Sequence, residues 1–309
     1  MLFTGWCSMY FLMTNDVEHH SISLNKEDSN IPFQIYQTGL PRLLDTLNKY
    51  DVSSTFYFTG MFAEQCPESV ELVHNSGHEV GCHGYDHSPL RAFDSISFDD
   101  QVNELKKAKS FLEPLAGNVS SFRAPALRLN DDTILALKKT GFKTDSSVAS
   151  QRFDGPFTFG SKNKLKWLSA PRKPYTLSYE SPTKSGNSGI LEIPISAVLI
   201  PYIGTTMRIC PSLLKFIEKY IFYEAYKTEK PVVFLFHPNE CLDYGVKGIS
   251  TRRSSNLIEY VFADVIRHNL KMRNLGLKSI SLLDELLKKA QNYGFEFVTA
   301  KEFEQIYRR

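Results

Sequence analysis

"STFYFTGMFAEQCPESVELVHNSGHEVGCH", residues 54–83, decides the fold. Its opening "STFYFTG" (54–60) is aromatic and β-branched, which suits a strand. "CPESVELVHNSG" (66–77) follows, with Pro67 just inside its start and Gly77 at its end. That is the asymmetry of a helix with a pre-set first turn and a left-handed stop. "HEVGCH" (78–83) then reads as a second short strand. A strand, a helix and a strand of this size form a crossover unit, which lays two parallel strands side by side with the helix on one face.

The rhythm extends in both directions. "MYFLMT" (9–14) reads as a buried strand, and 38–51 as a helix with Leu40, Leu43, Leu44 and Leu47 at helical spacing. Helices over 97–115, capped by Ser97, and over 130–141, capped by Asn130, alternate with strands over 120–125 and 142–147. Strands over 189–196, 231–237 and 295–299 and helices over 212–227 and 279–294 complete the pattern. Alternation of this kind predicts an α/β fold with a parallel sheet and helices outside it. We expect a single domain over 1–309, with a loop-rich insertion at about 150–188, where Gly, Pro, Ser and Lys replace any clean period.

Bulk properties narrow the function classes. The 309 residues carry a net charge of +2, too little to make nucleic acid or an acidic membrane surface the main partner. Five cysteines, none in a C-x-x-C pair, argue for reduced thiols rather than a disulfide framework. "MLFTGWCSMYFLMTND" (1–16) lacks a basic leader and a small-residue cleavage site, and is too short to span a bilayer. A cytoplasmic enzyme without a membrane span is the expectation from that stretch.

Several strands end on polar clusters: "TNDVEHH", "CHGYDH", "FRAP", "TDSSV" and "LFHPNE". In a parallel α/β barrel or open sheet the carboxyl ends of the strands share one face, where ligands bind. Asp16, Glu18, His83, His87, Arg123, Asp145 and His237 then converge from distant parts of the chain. His83 and His87 are four apart, as in zincin proteases, but Gly84 stands where those need Glu and Pro89 follows closely. A helix interior is excluded, and a loop at a strand end fits instead. Two imidazoles and a carboxylate are a common zinc set. Asp16 and Glu18 both qualify as that carboxylate, and the residues alone leave the choice open. A remaining carboxylate to activate water and a separate histidine to protonate a leaving group would complete a metal-assisted hydrolase of acyl bonds.

In this order the clusters resemble the polysaccharide deacetylase family (NodB-like, carbohydrate esterase family 4), over roughly 9–300. "GHEVGCHGYDH" resembles its metal-binding motif, "FRAP" and "LFHP" two later motifs, and "TNDVE" the D-V-E first motif of a divergent branch. The resemblance implies a distorted (β/α) barrel with seven or eight mostly parallel strands. It implies a divalent metal, zinc first and cobalt or nickel as alternatives, held by His83, His87 and Glu18. Asp16 is then the general base, compensated by Arg123, and His237 the acid, oriented by Asp145. The backbone N–H of Ala126 is a candidate oxyanion donor. The expected substrate is an N-acetylated or N-formylated amino sugar of a glycan or glycan precursor. An allantoinase-like cyclic-amide hydrolase and a non-catalytic glycan-binding relative are the alternatives.

Overall fold

A computed structural model of the chain describes residues 8–153, 162–244 and 265–309. One sheet runs through it, built from ten strands: β1 (Met9–Val17), β2 (Ser54–Phe58), β3 (Glu79–Cys82), β4 (Ser121–Phe122), β5 (Thr144–Asp145), β6 (Tyr175–Ser178), β7 (Ser181–Ser185), β8 (Leu191–Glu192), β9 (Val232–Phe236) and β10 (Phe295–Phe297). The order is β9-β1-β2-β3-β4-β5-β8-β6-β7, with β10 also paired to β1. Every pairing is parallel except those of β6 with β8 and with β7.

β1 is the axis of this arrangement. It pairs on both sides, and Phe11 to Val17 are all buried, as a parallel strand covered on both faces requires. β9, "VVFLF", is buried throughout for the same reason. Just past β8 the chain bends towards β9, and the Ser196 N–H donates to the Val233 carbonyl at 3.1 Å. That contact curls the sheet towards closure while leaving it partly open. The result is the α/β fold of helices around a curled, mostly parallel sheet that the alternation predicts.

Helices form at the six places expected for them, with shorter ones added between and after. α1 (Leu40–Asn48) buries Leu40, Leu43, Leu44 and Leu47. α2 (Gly60–Gln65) and α3 (Pro67–Asn75) cross from β2 to β3. α4 (Phe98–Ala116) starts on the Ser97 hydroxyl, which accepts from the Asp100 N–H. α5 (Asp131–Lys139) starts on a capping box between Asn130 and Thr133. α6 (Gly204–Ile209), α7 (Pro211–Thr228), α8 (Leu277–Asn292) and α9 (Ala300–Tyr307) complete the outer layer. No helix among the described residues is long and apolar enough to cross a membrane.

The expected loop at 150–188 is only partly a loop. Residues 154–161 lie outside the described residues, but β6 and β7 form a hairpin that continues the sheet in antiparallel sense. β7 carries Pro182, Lys184 and Ser185. It is an edge strand, where Pro and Lys are tolerated and the hydrophobic pattern is weak.

Candidate metal centre and catalytic cleft

The sheet delivers the polar residues to one rim. Asp16 lies near the carboxyl end of β1 and Glu18 just beyond it. His83 directly follows β3, Arg123 follows β4, Asp145 ends β5 and His237 follows β9. His87 comes from the loop after β3, which turns at Gly84 with φ +71°. A side chain at Gly84 would be strained in that conformation and would press on Phe93 and Pro125.

His83, His87 and Glu18 each bring one ligand atom into a group whose members all lie within 4.8 Å of one another. His83 is buried, and its Nδ1–H donates to the Arg123 carbonyl at 2.8 Å. That bond fixes the tautomer and turns the Nε2 lone pair towards the acids, 3.8 Å from Asp16 Oδ2 and 3.9 Å from Glu18 Oε2. His87 Nε2 is 2.6 Å from Glu18 Oε2. His87 is 24% exposed against 1% for His83, so the group opens to solvent on the His87 side.

The electrostatics suit a cation. Burial pushes the Glu18 carboxyl up, but His87, His237 and His20 outweigh it and hold the group well below the carboxylate range. Burial lowers His83, favouring the neutral ring a metal needs. Two imidazoles and one ionised carboxylate, with the Arg123 carbonyl orienting one ring, fit a divalent ion with one position left open.

Asp16 and Arg123 form the second unit. The Arg123 guanidinium is fully buried and donates to Asp16 Oδ1 at 2.8 Å, to the Ser146 carbonyl at 2.8 Å and to Ser146 Oγ at 2.8 Å. It also lies over the Tyr57 ring, 4.4 Å from its centroid. One oxygen of Asp16 is therefore clamped, while Oδ2 faces His83. The Ala126 N–H points into the same space, donating to His87 Nε2 at 3.2 Å. Ala126 holds φ 52° and ψ 19°, a left-handed conformation that costs a non-glycine residue about 1 kcal/mol.

One expected contact is replaced. Asp145 does not orient His237. It is fully buried within the sheet, where its carboxylate accepts from Ser147 Oγ and faces Glu192, its register partner on β8. His237 has a different acid: its Nδ1 lies 3.7 Å from Glu240 Oε1, three residues on in a short 3-10 turn. Glu240 is in turn paired with the buried Arg208, 3.2 Å from the guanidinium Nε to Oε2. Glu240, Arg208 and Glu192 were not singled out from the sequence. The i, i+3 spacing in "HPNE" was the available signal for Glu240. His19, next to Glu18, is tied to Gln65 at 2.9 Å. Burial pushes the Cys82 thiol up to about 12, so it stays protonated beside His83.

Burial raises both Asp145 and Glu192, and Asp145 raises Glu192 further while the hydrogen bond between them lowers Asp145, so the pair retains a proton that the unfolded chain releases. With native pKa values above the unfolded ones, the pair's contribution to stability is present at low pH and lost as pH rises. Glu192→Gln is therefore expected to gain about 1–2 kcal/mol over wild type at pH 8 and little at pH 4. Urea unfolding at the two pH values reads this, and a pH-independent gap would contradict the shared proton.

Comparison with known proteins agrees with this geometry. Residues 15–144 match the polysaccharide deacetylase family model. The chain is 31% identical to a peptidoglycan deacetylase of Helicobacter pylori over 119 residues, 38% of this chain and 39% of that protein. It is 34% identical to a peptidoglycan-N-acetylglucosamine deacetylase of Bacillus cereus over 85 residues, 28% of this chain and 30% of that one. These matches thus span less than half of either relative's own length. A Mycobacterium smegmatis structure described as a polysaccharide deacetylase shares the fold, with a TM-score of 0.52 at 18% identity over 93% of this chain and 94% of that one. The similarity to the polysaccharide deacetylase family thus covers residues 15–144, and beyond that stretch the likeness to the solved structure is one of fold.

The relatives also correct the expected location. They are named for peptidoglycan, a cell-wall polymer outside the cytoplasm, so the cytoplasmic reading is overturned. It rested on the first residues of the chain, which do not decide where the protein works.

Proposed function

We propose that this chain is a metal-dependent N-deacetylase acting on an N-acetylated amino sugar within a glycan. The observation that carries the reading is the juxtaposition of the His83–His87–Glu18 donors with the Asp16–Arg123 pair in one rim. A non-catalytic binder has no need of a clamped carboxylate beside a three-donor group. The relatives' names supply the substrate class, an N-acetylglucosamine-containing wall polymer.

His83, His87 and Glu18 would hold the metal, with zinc favoured by two imidazoles and a carboxylate. When bound, it supplies Lewis-acid polarisation of the acyl carbonyl and of water. Asp16 is the base: its Oδ2 accepts the proton of the attacking water, while Arg123 fixes Oδ1 and keeps the carboxylate in place. The Ala126 N–H faces the oxygen that becomes negative as the carbonyl carbon turns tetrahedral. His237 donates its proton to the departing nitrogen as the C–N bond breaks, leaving acetate and a free amine. Burial lowers His237, but Glu240, Glu18 and Asp16 outweigh it and raise its pKa, as an acid near neutral pH requires.

The reading is tested by metal analysis of the purified chain together with amine release from N-acetylglucosamine oligomers and peptidoglycan. Stoichiometric divalent metal and amine release abolished by chelation are expected. Protein that carries no metal, gains none on titration and releases no amine would sink it.

A further inference from the structure

The expected partner of His237 sits elsewhere, and the structure shows what took its place. We propose that Glu240, clamped by Arg208 and seated against Gly204, is the positioning residue that orients His237 as the leaving-group acid. The inference rests on the proposed role of His237 and adds the residues that aim it.

The Glu240 carboxylate is fully enclosed yet held from several sides. Arg208 Nη2 donates to Oε1 at 3.2 Å and Thr205 Oγ1 donates to Oε1 at 2.9 Å. Arg208 is itself fixed, donating from Nη1 to the carbonyls of Lys271 at 2.6 Å and Arg273 at 2.8 Å. The Glu240 carbonyl accepts from the Gly276 N–H at 3.0 Å. Gly204 opens α6 where a Cβ would collide with the Glu240 carboxylate and the Phe236 ring. Glycine there is a requirement of space, and the space it leaves is filled by this carboxylate. Burial pushes Glu240 up, but Arg208 and His237 bring it down to about 2, so it is an anion at any working pH.

An enclosed, permanently ionised carboxylate 3.7 Å from His237 Nδ1, at ion-pair rather than hydrogen-bond distance, draws the ring proton to that nitrogen. Nε2 is then the atom that gives or takes the catalytic proton. The acids that face His237 are Asp16 on β1, Glu18 just past it and, from its own turn, Glu240. Asp145 is not among them. The elements that build this support, 204–209 and 271–276, lie outside the stretch matched by the family model. The acid side of the cleft is thus assembled by parts of the chain other than those carrying the metal donors.

The test is an NMR titration of the His237 ring in the full chain, with Glu240→Gln and Asp145→Asn beside wild type. Glu240→Gln is expected to lower the His237 pKa by about one unit or more, and Asp145→Asn to leave it within a few tenths. Amine release should show Glu240→Gln losing about 10- to 100-fold in kcat with little change in KM, and the basic limb of its pH profile moving down with the titration. Should Glu240→Gln not fold, Glu240→Asp keeps Arg208 neutralised while withdrawing the carboxylate, and the same lowering is expected. An unmoved His237 titration in a folded Glu240 variant overturns the pairing. A titration that behaves as stated in a chain that releases no amine keeps the pairing and removes the deacetylase reading.

Discussion

His83→Ala and His87→Ala are each expected to lose bound metal and amine release together, by about a thousandfold or more in kcat/KM. The argument is geometric. The two rings and Glu18 are the group of His, Asp or Glu donors among the described residues that meets at this rim, and each contributes one atom to a space 4.8 Å across. Removing either ring leaves two donors, too few to hold a divalent ion against water. The variants should differ in a second respect. His83 is buried and bound to Arg123, so its loss also leaves a cavity and an unpaired carbonyl, and its Tm should fall. His87 is partly exposed in a loop, and its loss should barely change Tm. Metal content, Tm and rate measured on both variants separate these effects. Full metal occupancy in either variant would show that the site lies elsewhere.

Asp16→Asn is the second large effect, with metal kept and turnover reduced about 10³- to 10⁴-fold. The amide retains the shape of the carboxylate and an oxygen for Arg123, but it cannot accept a proton from water. The loss should fall on kcat, because the change acts only once the reaction begins. The buried guanidinium of Arg123 would meanwhile have lost its counter-charge, so some stability should go as well, about 3–5 kcal/mol at the upper end. Equal loss of metal and rate would mean instead that Asp16 is a ligand and that Glu18 has the proton-transfer role. Metal analysis beside single-turnover rates tells the two apart.

Much of this was legible before any coordinates. The crossover from β2 to β3 announced itself through Pro67, Gly77 and two apolar runs, and β1 through an uninterrupted apolar stretch ending in polar residues. Strand ends in a parallel sheet must share a face, so His83, Arg123 and Asp16 were brought together by topology alone. What stayed hidden depends on pairing rather than on pattern. β6 and β7 are held by backbone bonds at a sheet edge, where side chains need not alternate. α9 has a signal of its own in the capping box of Thr299 and Glu302, but it is a short helix at the end of a strand run and shows no long apolar period. Pattern does not give the partner of His237, because Asp145 and His237 both stand at strand ends, yet Asp145 turns to Ser147 and Glu192 inside the sheet. A shared rim brings residues near one another without saying which of them touch.

Arg123 meets the two halves of the rim with different atoms. Its carbonyl orients the ring of His83, and its guanidinium clamps Asp16. The first contact belongs to the main chain and survives any side-chain replacement, while the second does not. Substitution at this one position is therefore a way to silence proton transfer while sparing ion capture: Arg123→Lys should keep metal affinity close to that of wild type and give up the fork that steadies the base. Variation at this position can erode turnover, at some cost in stability, and still leave a protein that binds its ion.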